Sequence, residues 1–322
     1  MRTWLRTSHG VVRPVDGVSF SLAEGRTLGV TGESGAGKSV LCRSLLSVFP
    51  GSTVRAEGEV LIDGVDLRRV SPRERSSVLA TKVGVVFQDP ETALDPAMRA
   101  GRQVAEALGL SARAGAGRFR RGEQRERAVE LLAQVGVPEP ERRARQYPHQ
   151  LSTGLAQRVC IAIALAAAPR LVIADEPTSA LDRRSGVAVL ELISRYQRAQ
   201  SAAVVLVSHD IGLLADRTDE VMVLYAGVVV EHGPSRQVLS SPRMPYTQGL
   251  VASALGLERP PHSRLPVIDG EPPDPARRLA GCAFAPRCAS ADPRCATHAP
   301  RLQPVAQGHL VACWKPLSGA IA

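Results

Sequence analysis

Short apolar runs of strand length alternate with segments of helical periodicity along most of this chain. The predicted strands cover residues 27–31, 82–87, 171–174 and 203–207. The predicted helices cover residues 38–48, a segment that follows Leu155 and ends before Pro169, and residues 183–197. Because strands that alternate with helices form parallel sheets covered on both faces, this order predicts an α/β fold.

Two tight turns predict β-hairpins. Asp63 and Gly64 separate the apolar residues 60–62 and 65–67, and Ala226 and Gly227 lie in the middle of residues 221–230. Two-residue turns of this kind let neighbouring strands pair in antiparallel fashion.

Between residues 99 and 135 the apolar residues recur with helical spacing, which predicts a helical subdomain at about residues 89–160. Within it, the low-complexity residues 111–117 are expected to form a solvated loop. Further on, six of the seventeen residues 259–275 are proline, which predicts a linker. We therefore expect a large domain at residues 1–258 and an extension at residues 259–322. The extension holds a small cysteine-bearing segment, residues 281–314, called here the cysteine module.

The composition is that of a folded protein. Of the 322 residues, 44% are hydrophobic and 22% are charged, so a full core can form. No apolar run approaches the roughly 18 residues of a membrane helix, and residues 1–10 lack the apolar segment of a secretion signal. We therefore expect a cytoplasmic protein. The net charge of +9 is scattered along the chain, so it does not indicate nucleic acid as a partner.

One glycine-rich segment, called here the phosphate loop, has the pattern of a phosphate-binding site. It consists of Gly32, Glu33, Ser34, Gly35, Ala36, Gly37, Lys38 and Ser39, between a predicted strand and a predicted helix. Such a loop turns backbone N–H groups towards phosphate oxygens, and the helix N-terminus adds a favourable dipole. We expect Lys38 to reach the β- and γ-phosphates and Ser39 to bind Mg²⁺.

A second part of a nucleotide site is indicated where the strand at residues 171–174 ends. Asp175 and Glu176 follow that strand directly. Ligands of α/β folds bind at the carboxyl ends of the strands. Asp175 is therefore expected to hold Mg²⁺, and Glu176 to accept a proton from an attacking water.

Four further motifs resemble those of the ATP-binding subunits of ABC transporters. Residues 86–90 (VFQDP) resemble the Q-loop, residues 151–154 (LSTG) the signature loop, residues 179–182 (SALD) the D-loop and residues 207–210 (VSHD) the switch-histidine segment. The resemblance implies a P-loop NTPase with an ABC-type nucleotide-binding domain and a helical subdomain. It also implies a head-to-tail pair of ATPase domains that holds two ATP molecules and hydrolyses them.

The resemblance implies roles for single residues of these motifs. Gln88 would help to hold Mg²⁺ and sense the nucleotide, His209 would steady the γ-phosphate, and Glu176 would act on the attacking water. Ser152 and Gly154 would bind the γ-phosphate of the ATP that the partner domain holds, and Asp182 would belong to the same nucleotide-binding set.

A ring that stacks on the base is expected near the N-terminus. Trp4 is the candidate, and Leu5 fits the spacing about as well.

Thr153 departs from the family pattern, which usually has glycine at this position. Glycine lets a backbone N–H approach phosphate closely, whereas the β-branched Thr153 restricts φ and ψ and occupies that space. We therefore expect the composite site built from this signature loop to be slower than the site that uses Lys38, Asp175 and Glu176.

The C-terminal third resembles the tail of peptide- and nickel-importer ATPases. Residues 244–250 (MPYTQGL) and 282–288 (CAFAPRC) carry this resemblance. It implies an ATPase subunit at the cytoplasmic face of the membrane that energises import of peptides or a related small solute. The implied partners are a second ATPase subunit in a heterodimer, two transmembrane permease subunits and an extracytoplasmic solute-binding protein.

Six cysteines occur, and four of them, Cys282, Cys288, Cys295 and Cys313, belong to the cysteine module. Cytoplasmic thiols rarely persist as disulfides, so a metal is favoured over disulfides or unbound thiols. The spacing matches neither paired zinc knuckles nor the ferredoxin run, and leaves the metal open. Some members of the family carry a four-iron cluster in this tail, so the resemblance favours [4Fe–4S], with Zn²⁺ as the alternative.

The remaining candidate ligands are interpreted more simply. His298 and His309 are alternative ligands, but solvated histidines are the favoured interpretation. Cys42 and Cys160 fall within apolar helical patterns and are expected to pack in the core.

Two other classes of protein share parts of this pattern. ABC ATPases that act on DNA or ribosomes usually carry two ATPase domains, long coiled coils or large zinc insertions, which this sequence lacks. A regulatory subunit that binds ATP without hydrolysing it is suggested by Thr153 but opposed by Glu176 and His209. The sequence therefore predicts a transporter ATPase.

Overall fold

The computed structural model of the protein describes residues 1–7, 10–49, 54–116, 121–254, 266–277 and 279–318. The strands are β1 (Arg2–Thr7), β2 (Gly10–Asp16), β3 (Thr27–Thr31), β4 (Val54–Glu57), β5 (Leu61–Ile62), β6 (Val65–Asp66), β7 (Val83–Val86), β8 (Leu171–Asp175), β9 (Ala203–Val207), β10 (Glu220–Tyr225), β11 (Val228–Pro234), β12 (Gln303–Ala306) and β13 (His309–Val311).

The helices are α1 (Lys38–Leu46), α2 (Pro72–Lys82), α3 (Pro90–Ala93), α4 (Ala100–Ser111), α5 (Arg121–Gln134), α6 (Pro140–Ala144), α7 (Thr153–Leu165), α8 (Arg183–Gln200), α9 (Ile211–Arg217), α10 (Ser235–Ser240), α11 (Pro245–Ala254) and α12 (Pro293–Thr297). Among the described residues, no helix is both long and apolar enough to cross a membrane.

The chain forms two compact units. The first unit comprises Met1–Ser21, Thr27–Glu59 and Leu206–Ala322. Its main sheet has the strand order β12-β13-β11-β10-β3, in which β3 and β10 are parallel and β10 and β11 antiparallel. All five residues of β3 are buried, as is typical of a strand covered on both faces. A separate antiparallel sheet has the order β2-β1-β4.

The second unit comprises Leu22–Arg26 and Val60–Val205. Its strands lie in the order β9-β8-β7, and β7 and β8 are parallel. Helix α7 is buried along most of its length, including Val159 and Ile161. Residues 203–205 of β9 belong to this unit and residues 206–207 to the first.

Most of the local predictions are confirmed. The strands predicted at residues 27–31 and 203–207 are β3 and β9. Both predicted hairpins form, β5 with β6 and β10 with β11. Their turn residues Asp63, Gly64, Ala226 and Gly227 all have positive φ, which is the geometry that matches the twist of the flanking strands.

The solvated loop predicted at residues 111–117 is wrong for residues 111–116. Ser111 is the buried last residue of α4, and Ala112–Ala116 continue it as a π-helical segment. The hydroxyl of Ser77 donates a hydrogen bond of 3.2 Å to the carbonyl oxygen of Ala114. Alanine has the highest helix propensity of all residues, so a composition typical of a loop also suits a helix. Residue 117 lies outside the described residues.

The C-terminal extension contributes strands to the first unit. β13 pairs antiparallel with β11 and with β12. The fully buried Glu231 of β11 accepts a hydrogen bond from Nε2 of the equally buried His309 at 2.7 Å, so the prediction of a solvated His309 is wrong. The predicted boundary between residues 258 and 259 lies outside the described residues.

Candidate functional site

The phosphate loop joins β3 to α1 and holds its own lysine. The ammonium group of Lys38 donates hydrogen bonds to the carbonyl oxygens of Gly32 at 2.9 Å and Glu33 at 3.2 Å. The backbone N–H of Ala36 also donates to the Glu33 carbonyl, at 3.1 Å. Lys38 is buried, with 6% of its surface exposed. The positive charge is thus held at the loop rather than extended into solvent.

Gly32 and Gly37 give the loop its shape. Their φ angles are 148° and 101°, where residues with a Cβ are strained. A Cβ on Gly32 would collide with the carbonyl oxygen of Leu224, and one on Gly37 with that of Pro14. Gly37 also precedes α1 without a side-chain cap. Helix α1 begins at Lys38 directly after this glycine, and the dipole of a helix N-terminus favours an anion.

A cavity of about 640 Å³ adjoins the phosphate loop within the first unit. Its walls include Trp4, Arg13, loop residues 33–36, the turn between β10 and β11, and residues 272–277 of the extension. The guanidinium carbon of Arg13 lies 5.0 Å from the centroid of the Trp4 ring. Leu5 pairs instead with Val12 and Val54 in the small sheet. The cavity has the size of a small-molecule pocket, and Trp4 lies in its wall.

The second unit brings Gln88 and Glu176 together. Asp175 is the buried last residue of β8, and Glu176 follows it with a φ of 46°. Nε2 of Gln88 donates to Oε2 of Glu176 at 3.2 Å. The register of the parallel strands explains the contact, since Val86 pairs with Ala174 and both side chains lie two residues beyond that pair. The structure thus places Gln88 next to Glu176. The order of the two motifs along the chain did not reveal this contact.

The signature loop of the second unit begins a helix. Ser152 is the N-cap of α7, and its hydroxyl accepts a hydrogen bond from the Leu155 N–H at 3.4 Å. Thr153 and Gly154 are the first two residues of the helix. Further along α7, the buried amide of Gln157 donates to the carbonyl oxygen of Pro177 at 3.0 Å. The helix behind the signature loop is thereby tied to the residue that follows Glu176.

The other two predicted site residues lie beside helix N-termini. Asp182 caps α8, and the hydrogen bonds from Ser185 hold the pKa of its carboxyl below the usual value. His209 is exposed and lies directly before Asp210, the cap of α9. His209 and the phosphate loop belong to the first unit, and Gln88, Ser152, Gly154, Asp175, Glu176 and Asp182 to the second.

An ion pair between Glu33 and Arg287 was not predicted from the sequence. Nη1 of Arg287 lies 2.7 Å from Oε2 of Glu33, and Nη2 lies 3.0 Å from Oε1. Glu33 is the second residue of the phosphate loop, and Arg287 lies in the cysteine module. Arg287 forms part of the CAFAPRC motif, which was the only signal in the sequence that could have drawn attention to it.

Three aromatic rings, called here the aromatic cluster, pack beside this ion pair. They are Tyr225, Tyr246 and Phe284, with centroid separations of 4.6 to 5.3 Å. The hydroxyl of Tyr246 accepts a hydrogen bond of 2.7 Å from the backbone N–H of Glu33. Burial raises the pKa of both tyrosines, because desolvation disfavours the charged phenolate.

The four cysteines of the cysteine module line one small cavity, together with Phe284 and Trp314. Burial raises the pKa of Cys282 and Cys313, and the neighbouring thiols raise each further. None of the six cysteines, all of which the structure describes, takes part in a disulfide, and Cys42 and Cys160 are buried as predicted. Among the described residues, no group of three or more His, Cys, Asp or Glu side chains is placed so that it could hold a metal ion.

Two family models match separate parts of the chain. The ABC transporter family model matches residues 15–179. The model of the oligopeptide/dipeptide transporter C-terminal region matches residues 230–295.

Similar proteins align along almost the whole chain. The chain is 39% identical to the probable peptide ABC transporter ATP-binding protein y4tR of Sinorhizobium fredii, over 98% of this chain and 93% of that protein. It is 40% identical to the oligopeptide transport ATP-binding protein OppD of Bacillus subtilis (96% and 85%) and to the dipeptide transport ATP-binding protein DppD of Escherichia coli (96% and 92%).

A solved structure has the same fold over most of its length. It is the ATP-binding cassette MJ0796 in a dimeric post-hydrolysis state bound to ADP and Pi, with a TM-score of 0.63 and 30% identity. The match covers 73% of this chain and 99% of that one. The chain therefore belongs to the ABC transporter ATPases, in the group with the oligopeptide/dipeptide transporter C-terminal region.

Proposed function

We propose that this protein binds and hydrolyses MgATP to energise the import of peptides or a related small solute. The observation that carries the proposal is the phosphate loop, in which Lys38 is held by the carbonyl oxygens of Gly32 and Glu33. The proposal is further supported by the geometry of the Gln88–Glu176 pair and by the similarity to ATP-binding proteins of peptide transport along almost the whole chain.

The phosphate loop supplies the binding of the nucleotide. Its backbone N–H groups and Lys38 bind phosphate oxygens, and the N-terminus of α1 adds a positive electrostatic contribution. The cavity beside the loop takes the base and ribose, with Trp4 and Arg13 in its wall. These contacts position the γ-phosphate, which is most of what phosphoryl transfer requires of a protein.

The carboxylate of Glu176 activates the water that attacks the γ-phosphate. Glu176 accepts a proton from the attacking water, and the hydrogen bond from Gln88 orients its carboxylate. His209 steadies the γ-phosphate. Ser152, Gly154 and Asp182 act on the ATP bound by the partner ATPase domain.

Mg²⁺ would be held by the hydroxyl of Ser39, the carboxylate of Asp175 and the amide oxygen of Gln88. These are hard oxygen donors of the kind that Mg²⁺ prefers. The amide nitrogen of Gln88 is engaged by Glu176, which leaves its oxygen for the ion. When bound, Mg²⁺ neutralises charge on the phosphates.

We further propose that Cys282, Cys288, Cys295 and Cys313 hold a [4Fe–4S] cluster as a structural cross-link. The support is that one cavity collects all four thiols. Four thiolates satisfy the ligation of a [4Fe–4S] cluster, and the resemblance of this tail to family members that carry such a cluster favours it over Zn²⁺.

In this proposal the protein acts at the cytoplasmic face of the membrane. Its partners are a second, different ATPase subunit, two permease subunits and an extracytoplasmic solute-binding protein.

Calorimetry with MgATP tests the first part. The full chain should bind MgATP, Lys38→Met should abolish binding, and Lys82→Met, which removes an ion pair with Asp63, should leave it unchanged. Absence of binding to the wild type, or retention by Lys38→Met, would contradict the proposal. Co-purification with nucleic acid rather than integral membrane proteins would contradict the transport role.

Anaerobic purification tests the cluster. The protein should be brown and contain iron and labile sulfide, and Cys313→Ser should lose the colour while Cys42→Ala keeps it. A colourless wild-type protein with stoichiometric zinc would reject the cluster.

A further inference from the structure

The guanidinium group of Arg287 is buried, and all of its hydrogen-bond donors have acceptors. Its five N–H groups all have acceptors: Nε donates to the Asp269 carbonyl, Nη1 to Glu33 Oε2 and the Tyr225 hydroxyl, and Nη2 to Glu33 Oε1 and the Ile268 carbonyl. Its side chain is 4% exposed. Because the planar fork cannot rotate without breaking several bonds at once, the carboxylate that it binds is fixed in place.

That carboxylate belongs to a residue on which the phosphate loop depends. The carbonyl oxygen of Glu33 accepts from the Lys38 ammonium and from the Ala36 N–H, and the Glu33 N–H donates to Tyr246. The side chain, the N–H and the carbonyl of one residue are therefore all engaged. The two residues that follow, Ser34 and Gly35, are exposed, so Glu33 is the point at which this side of the loop is anchored.

The anchor lies within the cysteine module. Arg287 directly precedes Cys288, and Phe284 lies between Cys282 and Cys288. The Phe284 ring packs at 5.3 Å from both Tyr225 and Tyr246. The backbone N–H of Cys282 also donates to the Cys295 carbonyl at 2.7 Å. A change in the arrangement of these cysteines would displace both Arg287 and the aromatic cluster.

We propose that Arg287 is a positioning residue for nucleotide binding, which anchors the phosphate loop through Glu33 and so lets the cysteine module set the affinity for MgATP. The inference rests on the proposed function. Without the anchor, the loop has more conformations when empty, and binding has to order it. A preordered loop binds more tightly because that ordering cost is already met.

The test compares the affinity for MgATP of full-length variants by calorimetry. Arg287→Gln and Glu33→Gln should each bind about tenfold more weakly, and the double variant should be no weaker than either single variant. Arg294→Gln is the matched control: this arginine is in the same module but stacks on Trp314 at 3.5 Å, and its affinity should equal that of the wild type.

The kinetic readout separates positioning from mere folding support. In the assembled transporter, Arg287→Gln should raise the KM for ATP about tenfold and change kcat by less than about twofold. Arg287→Lys, which keeps the charge but not the fork, should restore only part of the affinity. Equal affinities for the wild type, Arg287→Gln and Glu33→Gln would overturn the proposal, as would additive losses in the double variant.

The experiment remains decisive if Arg287→Gln does not fold, and it distinguishes failure of this inference from failure of the proposed function. If Arg287→Gln fails to fold, Glu33→Gln decides alone, since its side chain is 25% exposed. If the wild type itself does not bind MgATP, the proposed function fails; if Lys38→Met abolishes binding while Arg287→Gln and Glu33→Gln do not weaken it, only this inference fails.

Discussion

The amide of Gln88 and the carboxylate of Glu176 form a hydrogen bond of 3.2 Å across 88 positions of sequence. Each side chain lies just beyond the end of a strand, and the parallel pairing of β7 with β8 sets their separation. Gln88 is exposed and Glu176 half-buried. A change in the position of Gln88 would therefore be felt directly by the carboxylate that we assign as the proton acceptor.

Glu176→Gln should abolish turnover but not binding. The substitution keeps the shape of the side chain and its contact with Gln88, but an amide cannot accept the proton of the attacking water. We expect kcat of the assembled transporter to fall by about 10²- to 10⁴-fold, with no loss of MgATP affinity in calorimetry. Glu191→Gln, which removes a surface ion pair with Arg198, is the control. A kcat close to that of the wild type would show that Glu176 is not the base.

The two ATP sites of the assembled transporter should be unequal. Thr153 occupies the place where a glycine would let a backbone N–H approach phosphate. Glu176→Gln in this chain should therefore cost more ATPase activity than the same change at the equivalent acid of the partner ATPase, provided the partner's signature loop is intact. Equal losses would refute the asymmetry. Thr153→Gly should raise the rate of the slower site.

His309→Ala should destabilise the first unit. Glu231 accepts hydrogen bonds from His309 and from the backbone N–H groups of Arg243 and Met244, and it is fully buried. Loss of the histidine leaves part of a buried carboxylate unsatisfied, at a cost of about 2–3 kcal/mol. Urea unfolding of the full chain would measure this. The exposed His298→Ala should change stability by less than about 0.5 kcal/mol, and equal stability of the two variants would contradict the prediction.

Cys160 should make stability fall at alkaline pH. Burial raises the pKa of its thiol to about 12, and the negative charge of Asp89 adds to the shift. In the unfolded chain the thiol ionises near about 8.5. Between these values the unfolded state has released a proton that the folded state retains, so the free energy of unfolding decreases as pH rises, by about 1.4 kcal/mol per unit.

The measurement is the difference in unfolding free energy between pH 7.5 and pH 10. The wild type should lose about 2 kcal/mol more than Cys160→Ala over this interval. The cavity made by alanine weakens the variant at both pH values and cancels in the comparison. Identical pH dependence of the two proteins would contradict the assignment.

Much of the candidate site could be predicted because its parts are local. The phosphate loop is eight consecutive residues between one strand and one helix, and its glycines stand where positive φ is required. Strand β8 ends at Asp175, directly before Glu176, and its apolar run is typical of a buried strand. The hairpin turns at Asp63–Gly64 and Ala226–Gly227 were predicted for the same reason.

The wrong predictions, for residues 111–116 and for His309, have one cause: both depend on contacts with segments that are distant in the sequence. Ser111–Ala116 are helical although their composition is typical of a loop, and Ser111 is buried. His309 was expected in solvent because nothing near it in the sequence reveals Glu231, 78 positions away. Periodicity cannot reveal a partner that another element brings into contact.

The sequence by itself determined which residues are the candidates to bind phosphate, hold Mg²⁺ and accept a proton, since candidates of this kind are recognised by residue type within short contiguous segments. Only the tertiary structure decided that Arg287 reaches Glu33 across 254 positions and that β13 joins β11. Such contacts depend on how the burial of apolar surface brings distant segments of the chain together, and no local pattern encodes that.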